Sequence, residues 1–216
     1  MADLTRAVLL LADIQPDFMP GGKLPVANGA DILTGVNKLL DAELFPHTVA
    51  TQDWHPPGHI SFASSHDGRA PFEVISLYGE DQVLWPDHCI QGTDGAALHA
   101  DLHLKNVDMI VRKGWDPRVD SYSGFRHNWN QAGKRPPTGL GGYLSELGIE
   151  AVYVCGLARD VCVTWTAEDA ATLGFNATVI WDLTRPVEAA SDDEVRRVLA
   201  ASGVRIVESA ELWGSA

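Results

Sequence analysis

The feature that most constrains the fold of this chain is a repeating alternation of short apolar, β-branched runs with stretches of helical spacing. The first run, "AVLLLAD" (7–13), is almost continuously apolar, as expected of a strand covered on both faces. It is followed by "NGADILTGVNKLLDA" (28–42), where Ile32, Val36, Leu39 and Leu40 share one helical face. The pattern continues with a strand at "HTVATQD" (47–53), a helix at "GAALHADLH" (95–103) and a strand at "VDMIVRKG" (107–114). A helix at "TGLGGYLSELG" (138–148) opens at Thr138 and closes at Gly148. The strand "EAVYVCG" (150–156) leads into a helix that ends before Gly174. Strand "ATVIWDL" (177–183), helix "SDDEVRRVLAASG" (191–203) and strand "VRIVES" (204–209) complete the series. Ser191 and Glu194 have the spacing of a capping box. Such alternation predicts an α/β fold, a parallel sheet sandwiched between helices.

No repeat or linker interrupts the pattern, so 216 residues are expected to form one domain, 1–216. The opening "MADLTRAVLLLADIQ" has a short apolar stretch flanked by acids and no small-residue cleavage site. It reads as a first strand and not as a signal peptide. No run approaches the ~20 apolar residues of a membrane-spanning helix. The formal charge of −13 argues against nucleic acid and anionic membrane as partners, because both need basic patches. Three cysteines, Cys89, Cys155 and Cys162, are too few and odd in number for a disulfide framework. Reduced thiols in the cytoplasm are the expectation.

Sites in open parallel sheets lie beyond the carboxyl ends of the strands. Asp13 ends the first predicted strand, Asp53 the second and Lys113 the third, while Cys162 opens the helix after the fourth. A cysteine at a helix amino terminus is expected to have a lowered pKa, and the unpaired N–H groups of that turn can hold an oxyanion. Alone, Cys162 reads equally well as a core thiol. Beside it, Asp13 becomes a general base and Lys113 a balancing positive charge. In "TQDWHPPGH", Asp53 and His55 share one face of an extended segment, and "LWPDHCIQGT" offers His88 as a third metal ligand. His59 and His66 compete for that role on spacing. Phe18, Trp54, Trp85 and Trp115 lie in loops near these strand ends and are candidates to clamp a flat ring, Phe18 and Trp85 ahead of the others. The stretch from Trp115 to Pro137 is a long polar loop of the kind that is usually functional or mobile.

Taken together, "ADIQPDF", "TQDWHPPGHISF", "LWPDHCIQGT", "VRKGWD", "SYSGF…PPTGLGGYL" and "GLARDVCV" resemble the isochorismatase-like cysteine hydrolases and, within them, the nicotinamidases. The resemblance runs over essentially the whole chain. It implies a Rossmann-like, three-layer αβα fold with a six-stranded parallel sheet. It also implies a triad of Asp13, Lys113 and Cys162, and one divalent metal held by Asp53, His55 and His88. Zinc comes first among the metals, with manganese, iron and magnesium also compatible with two nitrogens and a carboxylate. The Leu157–Ala158 peptide would be cis, and the N–H groups of Ala158 and Cys162 would form the oxyanion hole. The ring would lie among Phe18, Trp85, Leu157 and Val161. Where the family often carries histidine, tyrosine or phenylalanine before the cysteine, this chain has Val161, and Arg159 stands where threonine is common. Val161 bears on ring preference and leaves the amide chemistry intact.

The resemblance implies hydrolysis of nicotinamide to nicotinate and ammonia through a thioester, a step of NAD salvage, with pyrazinamide as a second substrate. The small-molecule substrate is the expected partner, and a homo-oligomer is compatible with the sequence. Three rivals stand beside this reading. A related cysteine amidase would act on another carboxamide or carbamoyl compound. A metal-water hydrolase would use Cys162 only structurally. A non-catalytic binding protein would need a broken triad, and here it is intact.

Overall fold

The first apolar run is strand β1 (Ala7–Ala12), buried at every residue. Around it the structure, a computed structural model describing residues 3–213, builds a sheet on both sides. In chain order the elements are α1 (Ile32–Asp41), β2 (His47–Asp53), β3 (Val74–Leu77), β4 (Glu80–Val83), β5 (Met109–Lys113) and α2 (Leu140–Glu146). They continue with β6 (Ala151–Leu157), α3 (Thr164–Thr172), β7 (Asn176–Arg185), α4 (Asp192–Ala201) and β8 (Arg205–Val207). Six strands form one sheet in the order β5-β2-β1-β6-β7-β8, every pair parallel. The chain winds outward from β1 through β2 to β5, then returns to lay β6 on the other side of β1. That reversal opens a crevice beyond the carboxyl ends of β1 and β6.

Strand alternation sorts the core into two layers. Leu9 and Leu11 of β1 pack with Ile32, Val36, Leu39 and Leu40 of α1 on one face. Val8 and Leu10 pack with Leu140 and Leu144 of α2, Ala167 and Ala170 of α3, and Val195 and Leu199 of α4 on the other. Each fully buried Leu or Val contributes roughly 1.5–3 kcal/mol, which is why the nearly unbroken apolar runs become the central strands. Gly156 in β6 is required by contact: a Cβ there would lie 2.1 Å from the carbonyl oxygen of Ala12. No helix among the described residues is long and apolar enough to cross a membrane. All three cysteines are free and buried.

Several predicted elements differ from those observed. The segment 95–103 forms only a 3-10 turn at Asp94–Ala96. Its backbone is used elsewhere: the His99 N–H donates to Ile14 O at 2.9 Å, and Gly95 lies so close to Asp17 that a Cβ would collide with the carboxylate. The capping box at Ser191 does not form. Ser191 already has helical dihedrals, and its hydroxyl donates to Glu188 O (2.6 Å) and Asp160 Oδ2 (3.2 Å). The segment after β6 begins with a π turn, Arg159–Val163, before α3. The β3–β4 hairpin lies outside the predicted series: β3 (VISL) is only four residues long, and β4 (EDQV) has no apolar run.

Candidate active site

Parallel register sets the first part of the site. Asp53 at the end of β2 is the direct partner of Lys113 at the end of β5, and β1 ends beside β2 at Asp13. Lys113 is fully buried. Its Nζ donates to Asp53 Oδ1 (2.6 Å), Ser121 O (2.8 Å) and Cys162 Sγ (3.5 Å). Asp13 Oδ2 lies 2.9 Å from the same nitrogen and forms a buried ion pair with it. Its other oxygen accepts from Thr51 Oγ1 at 2.6 Å, and Thr51 Oγ1 accepts from the Asp13 N–H at 3.1 Å. Carboxylate oxygens of Asp13 and Asp53 and the sulfur of Cys162 lie within 4.8 Å of one another. The structure thus brings together Asp13 and Lys113 from the ends of β1 and β5 and Cys162 from the turn after β6.

Burial is the largest single influence on each of these groups, but it sets the direction only for Asp13 and Cys162. It pushes the Asp13 carboxyl up, and the Lys113 ammonium offsets this only in part. Burial acts upward on Asp53 too, but Lys113 and His55 outweigh it and hold that carboxyl well below its usual range. Lys113 loses by desolvation and gains more from Asp13 and Asp53, so its pKa stands well above the ordinary value. For Cys162, burial is again the largest influence. Together with the two carboxylates, it holds the thiol well above its normal range despite Lys113. This corrects the expectation of a lowered pKa: Cys162 sits inside a buried π turn, where desolvation exceeds what a helix terminus contributes. The resting group is a thiol facing a carboxylate of raised affinity for protons.

Asp53 also faces a second cluster. His55 Nδ1 bonds Gly114 O (2.9 Å) and His88 Nδ1 bonds Pro86 O (2.7 Å). Those bonds leave both Nε2 atoms for Asp53 Oδ2, at 3.5 and 3.6 Å. A backbone carbonyl on the far nitrogen is the usual way a metal-binding imidazole is oriented. Three donors within 4.8 Å, two imidazole and one carboxylate, fit a borderline divalent cation with open positions. Gly114 is part of this fit, since a Cβ there would lie 2.4 Å from His55 Cε1. His59 is drawn away by Ser61 Oγ (2.7 Å) and Asp116 O (2.9 Å), and His66 by Ile60 O (2.7 Å).

The two clusters open onto one cavity lined by Phe18, Leu24, Asp53, His55, Trp85, His88, Asp120, Tyr122, Ala158, Val161, Cys162 and Val187. Phe18 and Trp85 are therefore on the wall. Trp54 is not; it carries the Arg112 guanidinium 4.0 Å from its ring. Trp115 is 53% exposed and packs on His127. Leu157, expected at the ring, is fully buried in the core cluster that also holds Phe18 and is not among the residues lining this cavity. The Leu157–Ala158 peptide is cis, and the Ala158 N–H has no acceptor among the described residues. Asp120 and Tyr122 come from the long polar loop after Trp115; Tyr122 lies in the "SYSGF" stretch, whereas the loop's length was the one signal for Asp120. Leu24 and Val187 had none.

An isochorismatase domain matches residues 7–211. The chain belongs to the isochorismatase family. It is 43% identical over 210 residues to a nicotinamidase of Acinetobacter baylyi, covering 97% of this chain and 95% of that one. The structure of a nicotinamidase/pyrazinamidase of Acinetobacter baumanii superposes with a TM-score of 0.90 at 42% identity, covering 96% of this chain and 98% of that chain. A pyrazinamidase of Pyrococcus horikoshii in complex with zinc superposes with a TM-score of 0.75 at 32% identity, covering 94% and 99%.

Proposed function

We propose that this protein is a metal-containing cysteine amidohydrolase that converts nicotinamide to nicotinate and ammonia. The observation that carries the reading is the buried Asp13–Lys113–Cys162 cluster opening onto the same aromatic-walled cavity as Asp53, His55 and His88. The relatives named above act on such amides, which is what their names state.

The residues divide the work as follows. Asp13, paired through Oδ2 with Lys113, takes the proton of the Cys162 thiol as Sγ attacks the carboxamide carbon. Lys113 holds the carboxylate and the sulfur in reach of each other and offsets the negative charge that passes between them. The N–H groups of Ala158 and Cys162 receive the oxyanion. Ammonia leaves with the proton held by Asp13, giving the thioester. Water then adds to the thioester after losing a proton to Asp13, and nicotinate departs as the thiol is restored. Asp53, His55 and His88 would hold a divalent cation, zinc first by the Pyrococcus neighbour, which when bound supplies a Lewis-acid contact for the ring nitrogen. Phe18 and Trp85 flank the ring, with Val161 beside it. Pyrazinamide, which has the same ring shape and carboxamide, is a second substrate. The reduced state of Cys89, Cys155 and Cys162 fits a cytoplasmic protein.

The test is ammonia release from nicotinamide by wild type and Cys162→Ala. Release should fall by about 10⁴-fold or more in the variant, with fold and metal content unchanged. Release that survives the substitution would move the chemistry to the metal. Wild type without release would discard nicotinamide as substrate.

A further inference from the structure

Arg159, which stands where threonine is common, and its neighbour Asp160 sit between the cavity residues Ala158 and Val161, yet neither lines the cavity. Their side chains run in two directions: Asp160 meets the connection between β7 and α4, residues 186–191, and Arg159 meets the two elements that flank it. Arg159 is 5% exposed. Its guanidinium donates to Thr184 Oγ1 (2.8 Å), Thr184 O (2.8 Å), Trp181 O (3.3 Å) and Asp192 Oδ1 (2.6 Å). It also lies 3.9 Å from the centroid of the Trp181 ring. The Asp160 carboxylate accepts from the N–H groups of Val187 and Glu188, both at 2.9 Å, and from Ser191 Oγ at 3.2 Å. Among the described residues, no backbone carbonyl takes either of those two N–H groups. Val187 is also the one residue of this connection that lines the cavity.

Resting on the functional reading above, we propose that Arg159 and Asp160 are positioning residues that clasp the β7–α4 connection to the nucleophile turn. Asp160 sets the wall at Val187 and thereby substrate affinity. Arg159 holds Ala158 and the turn for the chemical step. The assignment follows from what each side chain fixes. A carboxylate that accepts two consecutive backbone N–H groups fixes the direction of the Val187 side chain between them. An arginine whose fork is spent on the carboxyl end of β7 and on α4 fixes the backbone on which the oxyanion donor sits. Neither group touches the reacting atoms, so the two effects should separate in the kinetics.

The experiment is steady-state nicotinamide hydrolysis by the full, metal-replete chain. Asp160→Ala should raise KM about tenfold with kcat within a factor of about three. Asp160→Asn, which keeps one acceptor oxygen, should fall between. Val187→Ala should raise KM on its own, and the double variant Asp160→Ala/Val187→Ala should be little worse than the worse single one, because Asp160 acts through Val187. Arg159→Met should lower kcat about tenfold or more at nearly constant KM, with Arg159→Lys recovering part of the loss. Additive Asp160 and Val187 effects would overturn the proposal. So would kcat and KM moving together with the melting temperature, or no change in variants that fold. Wild type active with unchanged variants sinks the clasp alone. Wild type without turnover sinks the functional reading itself, and the clasp's stated role with it.

Discussion

Asp13, Asp53 and Lys113 stand at the ends of strands, whereas Trp85, Asp120, Tyr122 and Val187 stand in the connections between elements, and the two halves of the cavity are held by different means. The strand-end half is fixed by register. Asp53 pairs with Lys113 across a parallel ladder, and the ion contacts of 2.6 and 2.9 Å follow from where the strands stop. The connection half has no ladder. It is held by single long-range bonds: Gln82 Nε2 to Asp120 Oδ2 and Tyr122 Oη, Trp85 Nε1 to Tyr122 Oη, and Asp160 to the Val187 N–H. A site assembled this way keeps its reacting groups on the rigid part and its ring-binding wall on the adjustable part. Changes in the first half should therefore act on kcat, and changes in the second on KM.

The largest effect expected in the strand-end half, beyond the nucleophile itself, is from Lys113→Met. It removes the cation that two buried carboxylates share and leaves Asp13 and Asp53 facing one another. Removing one partner from such a buried set typically costs about 3–5 kcal/mol of stability. The variant should lose kcat by roughly 10³-fold, since Asp13 is left without the charge that places it beside the sulfur. Urea unfolding and single-turnover kinetics measure the two losses separately. Retention of more than a tenth of kcat would mean that the ammonium serves the fold alone.

His88 tests the border between the halves, because it lies in a connection but faces the strand-end carboxylate of Asp53. His88→Ala leaves only His55 and Asp53. Metal content after dialysis should drop, with affinity lower by about a hundredfold or more. KM for nicotinamide should rise more than kcat falls. A variant that keeps full metal and normal KM would remove His88 from the ligand set and reopen the question for His59.

A smaller effect is expected deep in the connection half. Gln82 on β4 is buried and donates to both Asp120 and Tyr122. Gln82→Met keeps the volume and removes those bonds, at a cost of about 1 kcal/mol, or a severalfold rise in KM. Steady-state kinetics at constant metal check it. If kcat falls instead and KM holds, the division between the two halves is wrong.

The same division accounts for how much could be read from the sequence. β1 is a continuous apolar run, and β2 and β5 stand out by their β-branched residues and their place in the strand–helix alternation, so the strand ends at Asp13, Asp53 and Lys113 could be placed in advance from pattern alone. The order of the strands was not in the pattern and comes from the structure alone, while the resemblance supplied only their number and parallel sense. The connection half left weaker traces. Tyr122 and Asp120 were hidden in a polar loop, and Gln82 sits on a strand with no apolar run. Val187 is directed by a carboxylate 27 residues away in sequence. Ser191 shows why local rules failed there. Its capping-box spacing is intact, but Asp160 and Glu188 take its hydroxyl. Leu157 differs in the opposite way: it ends a central strand and is buried in the core, next to the cavity residue Ala158.

The smallest expected effect sharpens the comparison by pH. His127, in the loop that carries Asp120 and Tyr122, is buried beneath Trp115, and its Nδ1 has no partner. Burial lowers its pKa. The Asp116 and Asp120 carboxylates pull the other way, Lys113 adds to the lowering, and the net shift is downward. The sign follows directly. Below the ordinary histidine pKa of about 6.5 the unfolded chain takes up this proton before the folded chain does, so stability is lost as pH falls through that region. His127→Phe keeps the ring packing without the titration. Urea midpoints at pH 7.5 and 5.5 should therefore differ less in the variant than in wild type. If wild type instead gains stability relative to the variant at pH 5.5, the imidazole is protonated in the fold and paired with Asp116. The loop would then be held by charge, as the strand ends are, and the contrast between the two halves would narrow.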